Sequence, residues 1–365
     1  MNVLIFIIVL GILVFVHELG HFLFAKLFKI RVAEFGFGYP PRMIKIGSWR
    51  GTEITFNWIP FGGFVKIFGE SDDGRPLIEQ EKKVSLVHKP RWQQFIVMFG
   101  GILFNFIFAA LLLCILYMSG IQSDINSAPQ GYEFESTELV VSAVLADSPA
   151  QESGLEIGDE VKEYFNQYET VTVKDETIQD VSYFINQSGS EGLQVGMVVE
   201  RNDSLETLEM TPREGLVPDR YGVGINMQRV GELKLPFVQS IIYGTKNTVV
   251  LTGVMFQGFW QLISGAISLD NVSGPIGIAG QVGQTVKLGF SYLIFFTALL
   301  SLNLAVLNLV PFPALDGGRI FIIIIESIVG RRLNPNIINW VNGIGFFLLI
   351  GLMIFVSVKD IINLF

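Results

Sequence analysis

The first 28 residues form an apolar run long enough to cross a membrane, with four ionisable side chains set inside it. Asn2 is the only polar residue up to Val16, and Lys26 the only charge between Phe22 and Phe28. Between those stretches lies His17-Glu18-Leu19-Gly20-His21. Lipid leaves a backbone no water to bond with, so an isolated apolar run that spans it must be a helix. On a helix, residues four apart share a face. His17 and His21 can then hold one Zn²⁺, and Glu18 is placed to act on a water beside it. Ionisable groups at this depth cost several kcal/mol and are rare without a function. A chance HExxH, common enough in soluble helices, is therefore a poor reading here.

Composition agrees. Half of the 365 residues are hydrophobic and 16% are charged, against about a quarter in soluble domains. A net charge of -9 leaves no basic footprint for nucleic acid. The single cysteine, Cys114, excludes an intramolecular disulfide and a cysteine-based zinc site. The N-terminus has no basic stretch and no small-residue cleavage site, so it is expected to be a retained span rather than a leader.

Four segments have the length of spanning helices: Val3–Phe28, Phe95–Tyr117, Phe290–Val310 and Ile337–Val358. A fifth, Phe237–Leu269, is interrupted by Lys246 and several polar residues. Its Phe256, Phe259 and Trp260 point to an interfacial amphipathic helix, with a full span as the alternative. Lys26, Lys29 and Arg31 follow the first span, Lys89 and Arg91 precede the second, and Arg319, Arg331 and Arg332 separate the third and fourth. The positive-inside rule then puts 29–92 and 313–336 in the cytoplasm and both termini outside. Residues 122–287 carry 23 acidic against 9 basic side chains, in keeping with a translocated segment.

The expected organisation is a first transmembrane helix with HExxH (1–28), a membrane-associated cytoplasmic β-loop (29–92) and a second span (93–121). An extracytoplasmic domain (129–225), an interfacial segment (235–287) and the last two spans (288–365) complete it. In 29–92, Phe35–Pro41, Met43–Ile46, Glu53–Ile59 and Gly63–Phe68 alternate apolar and polar residues between Gly and Pro. Several are too apolar for a solvated hairpin, so a β-loop dipping toward the first helix is expected. Farther on, Leu139–Leu145, Asp147-Ser-Pro-Ala150, Ser153-Gly-Leu155 and Ile157-Gly-Asp159 read as strand, turn, short helix and turn. That string resembles the PDZ pattern, whose domains bind peptides by adding a strand; a spacer or steric filter is the alternative.

Catalytic zinc usually takes three protein ligands and a water. His88 sits among Lys89, Pro90 and Arg91 and is expected at the surface. Asp360 falls near the outer end of the last span, and Glu326 in the apolar run Ile320–Ile328 stays open as a ligand. Asp316 has the better context, because Pro311 and Pro313 break the third span before it and Gly317-Gly318 allow close backbone approach after it.

HExxH in a first span, NxxPxPxLDGG after a later one, the FGFGYP…GTE…PFGGFVKIFGE loop and the PDZ-like insert together resemble the site-2 protease family of intramembrane zinc metalloproteases. Nearest are bacterial PDZ-containing members that cleave anti-sigma factors and remnant signal peptides. The resemblance runs through nearly the whole chain. It implies an α-helical polytopic membrane protein with a membrane-associated β-loop and an inserted α+β domain, located in the inner membrane. It makes His17, His21 and Asp316 the zinc ligands, Glu18 the catalytic residue, and Asn308, Pro311, Pro313, Gly62 and Gly63 the substrate-binding positions. Arg319 stands where many members have a basic or imidazole residue. Gly274-Pro275-Ile276-Gly277 also resembles a short family motif, without a chemical role of its own.

Substrates would be single-span membrane proteins, unwound before cleavage. From Val3 to His17 is 14 residues, about 21 Å of helix in a core of about 30 Å, so the metal is expected roughly 10 Å from the cytoplasmic surface. The competing readings are a non-enzymatic PDZ scaffold with a structural zinc and a metal transporter. A structural site has no need of Glu18, and a transporter needs more intramembrane polar positions than isolated ones such as Asn105 and Asn303.

Overall fold

The computed structural model describes every residue except 1, 71–76, 130, 175–176, 202–203, 218–219, 269–271 and 363–365. It divides into two compact units. One comprises Met1–Ser119 with Pro236–Phe365, the other Gly120–Leu235.

The first unit opens with α1 (Asn2–Leu27), which stops where Lys29 turns into the left-handed region at φ 55°. Ile30 N then bonds Ala25 O at 2.8 Å and Lys29 N bonds Lys26 O at 3.1 Å, the double hydrogen bond that closes many helices over glycine. A hairpin follows, β1 (Val32–Trp49) and β2 (Thr52–Ile67), joined by Arg50-Gly51 with φ of 47° and 79°. Each strand is used twice. Residues 34–37 pair with 63–66 on one side and 53–56 on the other, while 42–49 pair with 52–57. The four alternating stretches marked in the sequence thus become four lanes of one sheet made by two bent strands.

Phe35 stacks on Phe22 of α1 with ring centroids 4.8 Å apart, and both belong to a core with Ile30, Val32 and Ile67. After the single turn α2 (Glu79–Lys82) comes α3 (Arg91–Ser119). It crosses α1 at glycines: a Cβ on Gly20 would lie 2.2 Å from Gly100 O. Any larger residue would force the helices apart.

The second unit contains β3 (Ile121–Asp124), β4 (Thr137–Val144), α4 (Pro149–Glu152), β5 (Glu160–Phe165), β6 (Thr170–Thr172), α5 (Ile178–Ser190), β7 (Val195–Arg201), β8 (Ser204–Met210), β9 (Arg213–Val217), β10 (Arg220–Gly222) and β11 (Ile225–Leu233). Its main sheet runs β3-β11-β4-β5-β7-β8, with β6 beside β5. Alternating residues of β4, β5 and β7 (Leu139, Val141, Val161, Val195, Met197, Val199) meet Val181 and Ile185 of α5 in a separate core. Thr177 and Asp180 form a capping box at the start of α5. Buried Asp159 is held by a two-pronged Arg201 pair at 2.7 and 2.6 Å. The unit also holds β3 and all of β11 after its first residue, which lie outside 129–225.

The first unit resumes with α6 (Phe237–Ile263), α7 (Pro275–Leu288), α8 (Phe290–Leu309), α9 (Asp316–Val329) and α10 (Pro335–Ile362). Among the described residues α1, α3, α8 and α10 are long and apolar enough to cross a membrane, so the chain has four candidate spanning helices. α6 has 27 residues but lies outside that set; Leu269, the end of the interrupted apolar segment, is outside the described residues. α9, with 14 residues, reaches only about 21 Å.

The Gly274-Pro275-Ile276-Gly277 motif opens α7. Asp360 of α10 accepts from Gly274 N at 3.2 Å and Gly277 N at 2.8 Å. A Cβ on Gly274 would sit 2.7 Å from that carboxylate. The motif therefore has a packing role, tying α7 to α10.

Candidate active site

His17 and His21 point from one face of α1 toward α3, one turn apart, and both are buried. The floor beneath them is Gly101: a Cβ there would lie 2.4 Å from His21 Nε2 and 2.8 Å from His17 Cε1. His21 Nδ1 lies 2.8 Å from Val97 O. A carbonyl only accepts, so Nδ1 carries the proton and the Nε2 lone pair faces the site. His17 Nδ1 lies 3.2 Å from the amide nitrogen of Asn105, a fully buried residue whose Oδ1 has no partner. Turning that amide brings Oδ1 to His17 Nδ1–H and satisfies both atoms. His17 then also presents the Nε2 lone pair.

The third side chain arrives from the far end of the sequence. Pro311 and Pro313 end α8, Ala314 takes φ 71°, and α9 begins at Asp316. Gly317 and Gly318 allow this fold-back, since a Cβ on either would fall 2.2 Å from the carbonyl oxygen of Val310 or Phe312. Asp316 Oδ2 lies 2.8 Å from His17 Nε2 and 3.2 Å from His21 Nε2, and the two Nε2 atoms are 3.2 Å apart. These three form the one group of potential metal ligands found among the described residues. Tetrahedral zinc with bonds of about 2.0–2.2 Å separates its ligand atoms by about 3.3–3.6 Å. An outward shift of a few tenths of an ångström would admit the ion, and two imidazoles with a carboxylate suit a catalytic zinc with one open position.

Glu18, half-buried on the next face of α1, lies near the Val65 backbone amide. The 63–67 lane is an edge of the bent sheet, so that edge runs beside the glutamate.

The other candidates lie elsewhere. Glu326 is buried against Arg91 at 2.6 Å and accepts from Leu333 N at 2.8 Å. His88 is exposed near Ser85, and Asp360 caps α7. Arg319 pairs with Glu70. Asn308 is half-buried in the last turn of α8, just before Pro311 and Pro313. Gly62, at φ 88°, packs where a Cβ would come 2.7 Å from Val14, and a Cβ on Gly63 would meet Gly36 O at 2.9 Å. Both glycines thus hold the β-loop against α1 and against itself.

Sequence reasoning missed Gly101, Val97 and the part played by Asn105. A Gly-Gly pair and a lone amide inside an apolar run were the available signals. Neither reveals its partner without the α1–α3 crossing.

The profile of peptidase family M50 matches residues 5–352. A provisionally named zinc metalloprotease of Clostridium perfringens is 36% identical over 356 residues, covering 96% of this chain and 95% of its own length. One from Fusobacterium nucleatum is 32% identical and covers 100% of both chains. Zinc metalloprotease RasP of Oceanobacillus iheyensis is 26% identical, covering 100% of this chain and 99% of its own. With the profile matched almost from end to end, and with paired histidines and a carboxylate converging among apolar helices, the chain belongs to peptidase family M50, the site-2 proteases.

Proposed function

We propose that this M50 peptidase is an intramembrane zinc endopeptidase in which His17, His21 and Asp316 hold the metal and Glu18 carries the proton. The observation that carries the reading is the meeting of the three ligand atoms beside a glutamate that has no place in a purely structural site. Zinc bound there would polarise the scissile carbonyl and lower the pKa of water to about 7. Glu18 takes the proton from the attacking water and delivers it to the leaving amide nitrogen. Val97 and Asn105 keep both imidazoles in the ligating tautomer.

A helical substrate hides its amides, so it has to unwind. The sheet edge beside Glu18 offers a lane to which an unwound segment adds as a strand, with Asn308 and the Pro311–Pro313 break on the other side of the cut. Substrates are single-span membrane proteins, among them anti-sigma factors and remnant signal peptides. The residues 29–92 and 313–336 face the cytoplasm of a bacterial inner membrane, as the flanking Lys and Arg dictate, and both termini face out. The unit Gly120–Leu235 is a PDZ-like extracytoplasmic domain that restricts which ectodomains gain access. The segment 235–287 lies at the membrane interface.

Cleavage of a single-span reporter by the wild type and by Glu18→Gln, in reconstituted membranes, tests the reading. Turnover by the wild type alone is expected. Equal turnover would take the proton-transfer role from Glu18, and no turnover by either protein with zinc bound would replace the reading with a structural-zinc scaffold.

A further inference from the structure

The end of α1 carries a cleft that the peptidase reading leaves unused. Lys26, Lys29, Arg31 and Arg50 converge on a cavity of about 480 Å³ whose remaining walls are Ile30, Gly51 and Val84. Among the described residues no carboxylate lines it, in a protein with a net charge of -9. Two of the four cations occupy backbone positions that favour glycine, Lys29 at φ 55° and Arg50 at φ 47°. Lys26 Nζ donates to Arg50 O at 3.1 Å, which draws helix end and hairpin turn together. Nearby, the Lys89 amine is held below its usual range by burial and by the charge of Lys29.

Beside the cleft lies an apolar groove of about 420 Å³ between α1 and the sheet, whose walls include Phe15, Phe22, Phe35, Phe37 and Trp49. The walls of the two cavities touch. Lys26 lies over the Phe22 ring at 5.8 Å, Arg50 over the Trp49 ring at 4.9 Å, and the two rings are 5.6 Å apart. From Phe22 back to Phe15 the groove follows α1 for seven residues, about 10 Å into the span.

We propose that cleft and groove form one site for an anionic phospholipid, its headgroup phosphate among Lys26, Lys29, Arg31 and Arg50 and an acyl chain along the aromatic groove. The occupant follows from the chemistry: four converging cations with no acid among the described lining residues call for an anion, and the aromatic wall beside them calls for a hydrocarbon chain on the same molecule. Basic side chains on the cytoplasmic side attract the anionic lipids of that leaflet by about 1 kcal/mol each. The site rests on the four-span reading and its orientation, and is independent of the zinc assignment. A lipid seated there lies along α1 within two residues of His17, so it packs the helix that carries both histidines.

The test uses the full-length, delipidated protein in an uncharged detergent, with native mass spectrometry counting bound lipid. Dioleoyl phosphatidylglycerol is titrated against dioleoyl phosphatidylcholine, which carries the same phosphate without net charge. Lys29→Gly with Arg50→Gly removes two cations at positions where glycine is conformationally at ease. This variant should weaken phosphatidylglycerol binding by about 30-fold, or about 2 kcal/mol. Lys82→Gln, outside the cleft, should leave it unchanged. Dihexanoyl phosphatidylglycerol should bind more weakly than the long-chain lipid. Equal binding of the two headgroups, or an unchanged affinity in the double-glycine variant, would overturn the site. Displacement by millimolar inorganic phosphate, with no dependence on chain length, would make it a soluble-phosphate site and overturn the lipid assignment.

Discussion

His17 Nε2 and Asp316 Oδ2 lie 2.8 Å apart although 299 residues separate them in the chain. One comes from the middle of a spanning helix and the other from the first residue of a helix that starts at a proline break. The imidazole is therefore held by a rigid element and the carboxylate by a loop whose path depends on Pro311, Pro313, Gly317 and Gly318.

Asp316→Asn should lower zinc content and peptidase activity together, because it exchanges a charged ligand for a neutral amide. Zinc per chain in the purified variant, read by atomic emission beside reporter cleavage, checks this. Full zinc with normal cleavage would remove Asp316 from the ligand set.

Glu18→Gln should insert, keep its zinc and lose about 10²–10⁴-fold in turnover, the range supplied by a positioned proton-transfer group. Single-turnover cleavage with zinc quantified on the same sample separates loss of chemistry from loss of metal. Near-normal turnover would assign proton transfer to another group.

Gly101→Ala should lose zinc although it touches no ligand covalently. Its Cβ would fall 2.4 Å from His21 Nε2, where no real contact is that short, so the imidazole must swing away. Gly253→Ala, with nothing within 4 Å, is the matched control and should keep its zinc. An alanine at 101 with unaltered zinc affinity would mean that α1 and α3 separate more easily than their glycine crossing implies.

Proline or glycine placed in a reporter's transmembrane helix near the cut should speed cleavage, and a run of leucines should slow it. Proline costs a helix interior about 3 kcal/mol relative to alanine, which lowers the work of unwinding. Initial rates on a substitution series check this, and rates indifferent to the series would show that unwinding is not limiting.

Removing the unit Gly120–Leu235 should leave short-tailed substrates cleaved and admit some long-tailed ones that the intact protein spares. The unit has its own sheet and core, so its removal takes away no part of the other core. Comparing reporters that differ only in ectodomain length reads the effect. Loss of short-tail cleavage in a deletion that still binds zinc would make the unit a recruiter of substrate instead.

What the residues alone determined is what local physics dictates. Apolar runs of about twenty residues must be helices in lipid, because no other open backbone satisfies its own hydrogen bonds there. α1, α3, α8 and α10 are therefore legible without coordinates. The His17–His21 pairing is legible for the same reason, since four residues is one helical turn. The alternating stretches of 29–92 announced strands, though not that two bent strands would supply all four lanes. For the third candidate ligand the residue pattern favoured Asp316 and left Glu326 open, because both are acids near apolar helices. Tertiary structure separates them: Glu326 is taken up by Arg91, and Asp316 is swung back over Val310 and Phe312 onto the histidines. The same holds for Gly101, Val97 and Asn105, whose roles exist only where α3 crosses α1. Helical periodicity acts over a few residues and leaves a trace in sequence. Contacts across 76 to 299 residues arise from packing, and packing is decided by the shapes of all the neighbours at once.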